Sequence, residues 1–105
     1  MLSEKILQQV TEALTEAAPE ATIILFGSQA RGDADQDSDL DILVVEPVVK
    51  ARRREIVRLS DVLRPLKIPV DIMVISQRNF DTWRNTPGNI VYQAVHEGRI
   101  LHAAA

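Results

Sequence analysis

The 105-residue chain has no cysteine, which removes disulfides and thiolate metal sites and fits a reducing compartment. Aromatic residues are scarce: one tryptophan, one tyrosine and two phenylalanines offer little platform for stacking a nucleic-acid strand. Positive charge is not in surplus. The formal net charge of -3 and the pI near 5.3 give no general attraction for nucleic acid or for an anionic membrane surface. No apolar run approaches the roughly 20 residues of a membrane span, and the opening MLSEKILQQV lacks the basic-then-apolar order of a signal peptide. The expected location is therefore the cytoplasm. Internal repeats, low-complexity tracts and linkers are also missing, so a chain that is 46% hydrophobic reads as one domain, residues 1–105, with a single modest core.

What is present is concentrated between residues 25 and 45, LFGSQARGDADQDSDLDILVV. Residues 21–26 (ATIILF) are short, β-branched and aromatic, the composition of a buried strand. Gly27 permits a backbone conformation that a side chain would forbid, and Ser28 adds a hydroxyl. Residues 28–31 are expected to form one helical turn whose N-terminus faces an anion; taken alone, Gly-Ser would mark only a turn. Arg31 either meets a phosphate or ties down a neighbouring aspartate.

Five aspartates then alternate: Asp33, Asp35, Asp37, Asp39 and Asp41. An EF-hand register fails, because it puts Ser38 where glycine is needed and Val44 where a bidentate glutamate is needed. Asp33, Asp35 and Asp37 read as a solvated loop. Asp39 and Asp41 differ, since they begin a strand, residues 40–45, that is apolar on both faces from Ile42 onward, the pattern of a central strand. Side chains two apart on a strand share a face, so both carboxylates aim at one point at the edge of a core.

Elsewhere the elements are plainer. Leu2, Ile6, Val10 and Leu14 recur every four positions in a helix over residues 2–18, ended by Pro19. Residues 49–64 form a second helix with Val49, Ile56, Val57, Leu59, Val62 and Leu63 as its apolar set. Its polar remainder, Arg52, Arg53, Arg54, Arg58 and Arg64, is a solvated basic face, or a contact for an acidic partner or a nucleotide's phosphate tail. Residues 70–75 (VDIMVI) make a third strand with Asp71 near its start. Ser76 caps a short helix reaching Trp83. A last helix starts at Thr86-Pro87 and ends at Gly98, followed by a short edge strand at residues 99–102. Tyr92, His96 and His102 read as structural or surface residues.

Loop lengths fix the arrangement of the strands. A short loop makes the first two strands antiparallel neighbours, and a helical crossover makes the second and third parallel. Gly27-Ser28, Asp39, Asp41 and Asp71 then converge on one end of one sheet. Two unit charges about 4 Å apart repel by roughly 4 kcal/mol at an effective dielectric of 20, so a proton or a cation must neutralise the group. With only oxygen ligands on offer, magnesium or manganese is the natural cation.

Gly27-Ser28, then Asp39-Leu40-Asp41, with Asp71 on a later strand, resembles the active-site signature of the nucleotidyltransferase superfamily that includes DNA polymerase β. The run GSQARGDADQDSDLDILVV is similar to the minimal nucleotidyltransferases (MNT), which pair with helical HEPN-domain toxins in two-gene toxin–antitoxin systems. The resemblance covers most of the chain. It implies an α+β fold, a polymerase β-like palm with a mixed three- to four-stranded sheet and helices mainly on one face. It further implies that Gly27 and Ser28 hold nucleotide phosphates, with Arg31 a motif arginine of unassigned contact. Asp39 and Asp41 would bind two Mg²⁺ ions, and Asp71 would complete the second metal site and help deprotonate the attacking hydroxyl. ATP is the implied substrate and a HEPN toxin the implied partner.

Two functions follow from that resemblance. One is an adenylyltransferase that moves AMP from ATP to a hydroxyl, expected to be a tyrosine, of the partner toxin. The other is a non-catalytic antitoxin that masks its partner sterically. A nucleic-acid polymerase is disfavoured by the acidic, aromatic-poor composition.

Overall fold

Ser3 opens the first helix: its hydroxyl accepts the Ile6 N–H at 3.2 Å in a computed structural model that describes residues 3–32 and 39–104. This helix, α1 (Glu4–Ala17), buries Leu7, Val10 and Leu14, one stripe at helical spacing. Strand β1 (Thr22–Phe26) and the single turn α2 (Ser28–Arg31) follow. Strand β2 (Leu40–Glu46) leads into α3 (Arg52–Leu63), a 3-10 turn (Arg64–Leu66) and β3 (Val70–Ser76). The chain closes with α4 (Gln77–Trp83), α5 (Ile90–Glu97) and β4 (Arg99–His102). Among the described residues, no helix is long and apolar enough to cross a membrane.

The sheet order is β3-β2-β1-β4. As the loop lengths require, β1 runs antiparallel to β2 and β2 parallel to β3; β4 adds a second antiparallel neighbour to β1. The result is an α+β fold on a four-stranded mixed sheet. Alternation along β2 sends Leu40, Ile42 and Val44 into one core, with Leu7, Val10 and Leu14 of α1 and Leu59 and Leu63 of α3. Leu43 and Val45 enter a second core with Phe80 of α4 and Val91 and Ala94 of α5. The two long helices lie on one face, as expected of the main helical layer, and two short helices cover the other. Burial on both faces explains why β2 is apolar at every position from Ile42 to Val45, each such side chain contributing about 1.5–3 kcal/mol.

Three helix starts differ from the sequence reading. Helix α1 begins at Glu4 behind its Ser3 cap, not at residue 2. Helix α3 begins at Arg52, not at residue 49; Val49 packs on the core from the preceding connection, and its helical spacing from Ile56 is coincidental. Helix α5 begins at Ile90, not at Thr86-Pro87. Asn89 takes the cap, its Oδ1 accepting from Tyr92 N–H at 3.0 Å while its Nδ2 donates to Thr86 and Trp83 carbonyls. A capping asparagine that also holds the preceding turn outcompetes the weaker preference for proline in a first turn.

At the end of β2, Glu46 meets Glu55 and Arg58 of α3. Arg58 makes a two-pronged contact with Glu55 at 2.7 and 2.8 Å and also donates to the Ala17 carbonyl at 2.9 Å, tying α3 to α1. Oε1 of Glu46 is buried with no hydrogen-bond partner. Burial, then the hydrogen bond and charge of Glu55, pushes Glu46 up to about 7, while the Arg58 hydrogen bond holds Glu55 down to about 2. In mild acid the proton thus sits on Glu46, while Glu55 stays ionised against Arg58.

The sign of the linkage follows. Glu46 keeps a proton that the unfolded chain has released, so its contribution is complete below the ordinary 4.5 and lost as pH rises through about 7. Glu55 acts oppositely, its contribution being lost only as pH falls through about 2. Thermal melts of wild type and Glu46→Gln at pH about 5 and about 7.5 should show the variant gaining over wild type only at the higher pH. An equal difference at both values would show that Glu46 does not hold the proton.

Candidate active site

Register places the acidic residues with little freedom. Phe26, the last residue of β1, pairs with Asp41 across the antiparallel ladder, and Asp41 pairs with Asp71 across the parallel one. Paired residues on adjacent strands point to the same face, so Asp41 and Asp71 stand side by side on the face that carries Leu43 and Val45 further along. Asp39 directly precedes β2. Asp39 and Asp71 are exposed and Asp41 is half-buried, at the rim of the second core.

Gly27 follows Phe26 and therefore lies against Asp41. Its backbone, φ 75° and ψ -159°, is a region open essentially to glycine alone. A Cβ placed on it would fall onto Asp41 Oδ2. The glycine thus does two things: it turns the chain into α2, and it leaves the space that the Asp41 carboxylate occupies. Asp41 is pushed above the usual carboxylate value by burial first, then by the negative charges of Asp71 and Asp39, with Arg31 opposing. All three acids therefore act on one locus. A carboxyl raised by burial and by like charges in this way marks a candidate functional position.

Among the described residues, no three acidic, histidine or cysteine side chains are gathered closely enough to constitute a formed metal centre. The donor chemistry nevertheless fits a hard divalent cation: among the described residues the locus offers carboxylate oxygens and no sulfur or imidazole, and the charges of Asp71 and Asp39 add to burial in raising Asp41.

Arg31 lies near enough to lower Asp41 and also donates to Glu97 Oε2 at 3.3 Å. Glu97, at the end of α5, had no signal in the sequence, being 66 positions away. Asp33, Asp35 and Asp37 lie outside the described residues. The arginines of α3's first turn are not part of this locus. They stand at the opposite end of the sheet, one strand length or about 20 Å away, and so are excluded as contacts for a phosphate tail bound beside Asp41.

A family model described as a nucleotidyltransferase domain matches residues 7–100. The chain belongs to this family. No curated protein sequence matches it, but several solved structures do. One is a crystal structure of a toxin–antitoxin with AMP-PNP, 22% identical with a TM-score of 0.68, over 93% of this chain and 73% of that one. Another is a complex of the tri-AMPylated Shewanella oneidensis HEPN toxin with its MNT antitoxin, 20% identical with a TM-score of 0.63, over 98% of this chain and 74% of that one. A third, described as a minimal nucleotidyltransferase, is 28% identical with a TM-score of 0.61, over 91% of this chain and 92% of that one. The nucleotidyltransferase domain thus has the polymerase β-like fold that its motif implied.

Proposed function

We propose that this nucleotidyltransferase domain moves AMP from ATP to a tyrosine hydroxyl of a HEPN-domain toxin and so acts as its antitoxin. The observation that carries the reading is Asp41 seated over Gly27 and beside Asp71. This places carboxylates, and the glycine turn that would admit a phosphate, at one sheet end. The likeness to a toxin–antitoxin structure with AMP-PNP and to an AMPylated HEPN toxin with its MNT antitoxin supports the choice of nucleotide and partner.

In this reaction the tyrosine oxygen attacks the α-phosphorus in line. A P–O bond forms to tyrosine, the bond to the bridging oxygen breaks, and pyrophosphate leaves with the electron pair. Gly27, Ser28 and Arg31 hold the phosphates, and Asp71 accepts the hydroxyl proton. Asp39, Asp41 and Asp71 would hold Mg²⁺, two ions in the full site, with Mn²⁺ an acceptable substitute. Bound metal supplies neutralisation of the charge that develops on the attacking and leaving oxygens. Positioning of the attacking atom is worth many kcal/mol, and on this reading a docked partner protein supplies it. AMP added near the toxin's active site brings bulk and negative charge where RNA would bind, and silences it.

Incubation with ATP, Mg²⁺ and the HEPN partner, followed by intact mass measurement, should show the partner gaining about 329 Da for each AMP transferred. A partner that is neutralised with no added mass would establish the steric antitoxin instead.

A further inference from the structure

The end of the sheet opposite the carboxylates has a surface that neither folding nor nucleotide transfer explains. Lys50, Arg52, Arg53 and Arg54 are four of the chain's 12 lysines and arginines, gathered in five positions of a protein whose net charge is -3. All four are exposed. Arg58, Arg64, Arg31 and Arg99 each pair with a carboxylate, whereas none of these four makes an ion pair among the described residues. Three of them occupy the first turn of α3, where the helix dipole is positive and cations are unfavourable. The cap residue, Ala51, offers no side-chain acceptor. These charges therefore oppose the local helix and do not serve it.

Apolar groups stand among the cations. Val48 is 69% exposed, Val57 56% and Trp83 49%. Val48, Lys50 and Arg54 line a cavity of about 300 Å³. Arg52 and Trp83 line another of about 340 Å³, and Val49 belongs to both, so the two hollows adjoin across the start of α3. Val57 lies one helical turn beyond Arg53 and Arg54, on their side of the helix. The acids lining the first hollow do not pair with these cations: Glu55 holds Arg58 in a two-pronged contact, and Oε1 of Glu46 is buried.

We infer that this patch is a docking surface for an acidic protein segment carrying apolar side chains, seated along the first turn of α3 with an apolar group against Trp83. Charge complementarity sets the sign of the partner. Arginine and tryptophan are residues enriched at protein–protein hot spots, and the exposed valines add apolar area beside them. A nucleic-acid strand is the poorer match, because a single aromatic gives no stacking track.

The test uses three fluorescent probes: a 15-residue amphipathic glutamate/leucine peptide, oligoglutamate of equal length, and a 12-nucleotide single-stranded RNA. Anisotropy should show the amphipathic peptide binding most tightly, with affinity falling as salt rises. A variant combining Arg52→Gln, Arg53→Gln and Arg54→Gln should bind it at least about tenfold more weakly, and Trp83→Ser should also weaken it. The triple variant should melt no lower than wild type, since it removes cations from the positive end of a helix; binding lost without a fall in melting temperature supports the surface. No binding by the amphipathic peptide, equal binding by the triple variant, equal binding of oligoglutamate, or tighter binding of RNA would each overturn it.

Discussion

Asp41→Asn is expected to abolish nucleotide transfer and at the same time to make the protein more resistant to heat. The two effects have one cause. Asp41 is half-buried beside Asp71 and near Asp39, and burial together with those charges pushes its carboxyl above the usual range. The folded state thus carries a charge that the unfolded chain accommodates more easily. Asparagine keeps the shape and removes the charge. Allowing for solvent screening at a half-exposed group, the gain is a few tenths to about 1 kcal/mol near neutrality.

The sign can be checked by pH. Because the folded-state pKa of Asp41 is raised, its contribution is complete below the ordinary 3.8 and declines as pH rises through the folded value. The advantage of the variant should therefore shrink in acid. Function moves the other way. On the proposed reading Asp41 supplies negative charge to a divalent metal and its nucleotide, and loss of one such electrostatic element should slow transfer by at least about 10³-fold, near 4 kcal/mol in the barrier. The stabilisation that Mg²⁺ and ATP give to the folded protein should disappear as well. Transfer at the wild-type rate would remove Asp41 from the chemistry, and a lower melting temperature would show its charge to be structural.

Much of this locus was legible in the sequence, for identifiable reasons. Period-two alternation put Asp39 and Asp41 together, and the short and helical connections fixed antiparallel and parallel neighbours, which brought Asp71 alongside. The actual register, Phe26 opposite Asp41 and Asp41 opposite Asp71, depends on side-chain packing across strands and has no local signature. Contacts between distant segments were hidden for the same reason. Arg31 with Glu97, and Arg58 with the Ala17 carbonyl, arise from where helices cross, which periodicity does not encode. The start of α5 was misread because one proline signal was weighed without the competing asparagine two residues on. The separation of the basic turn from the carboxylates was concealed by sequence distance: Arg52 is near Asp41 along the chain and a full strand away in space.

Gly27→Ala should damage both stability and nucleotide binding, and Gly32→Ala isolates the reason. Both glycines have positive φ, 75° and 83°. Gly32 sits in the left-handed region with ψ 10°, where alanine costs roughly 1–2 kcal/mol, and its Cβ would meet nothing described within 4 Å. Gly27 lies in the region reserved for glycine, at a cost of about 1–3 kcal/mol for a strained residue, and its Cβ would also fall onto Asp41 Oδ2. Either the turn into α2 or the Asp41 carboxylate has to move. The expected loss at Gly27 therefore exceeds that at Gly32 by about 1–3 kcal/mol, the usual cost of overpacking. Only the Gly27 variant should lose stabilisation by Mg²⁺ and ATP. A double-mutant cycle with Asp41→Ala separates strain from collision: removing the carboxylate should return most of the excess cost, because the two residues are in contact. Additive penalties would mean that the alanine is accommodated without touching Asp41, and that the glycine serves the backbone turn alone.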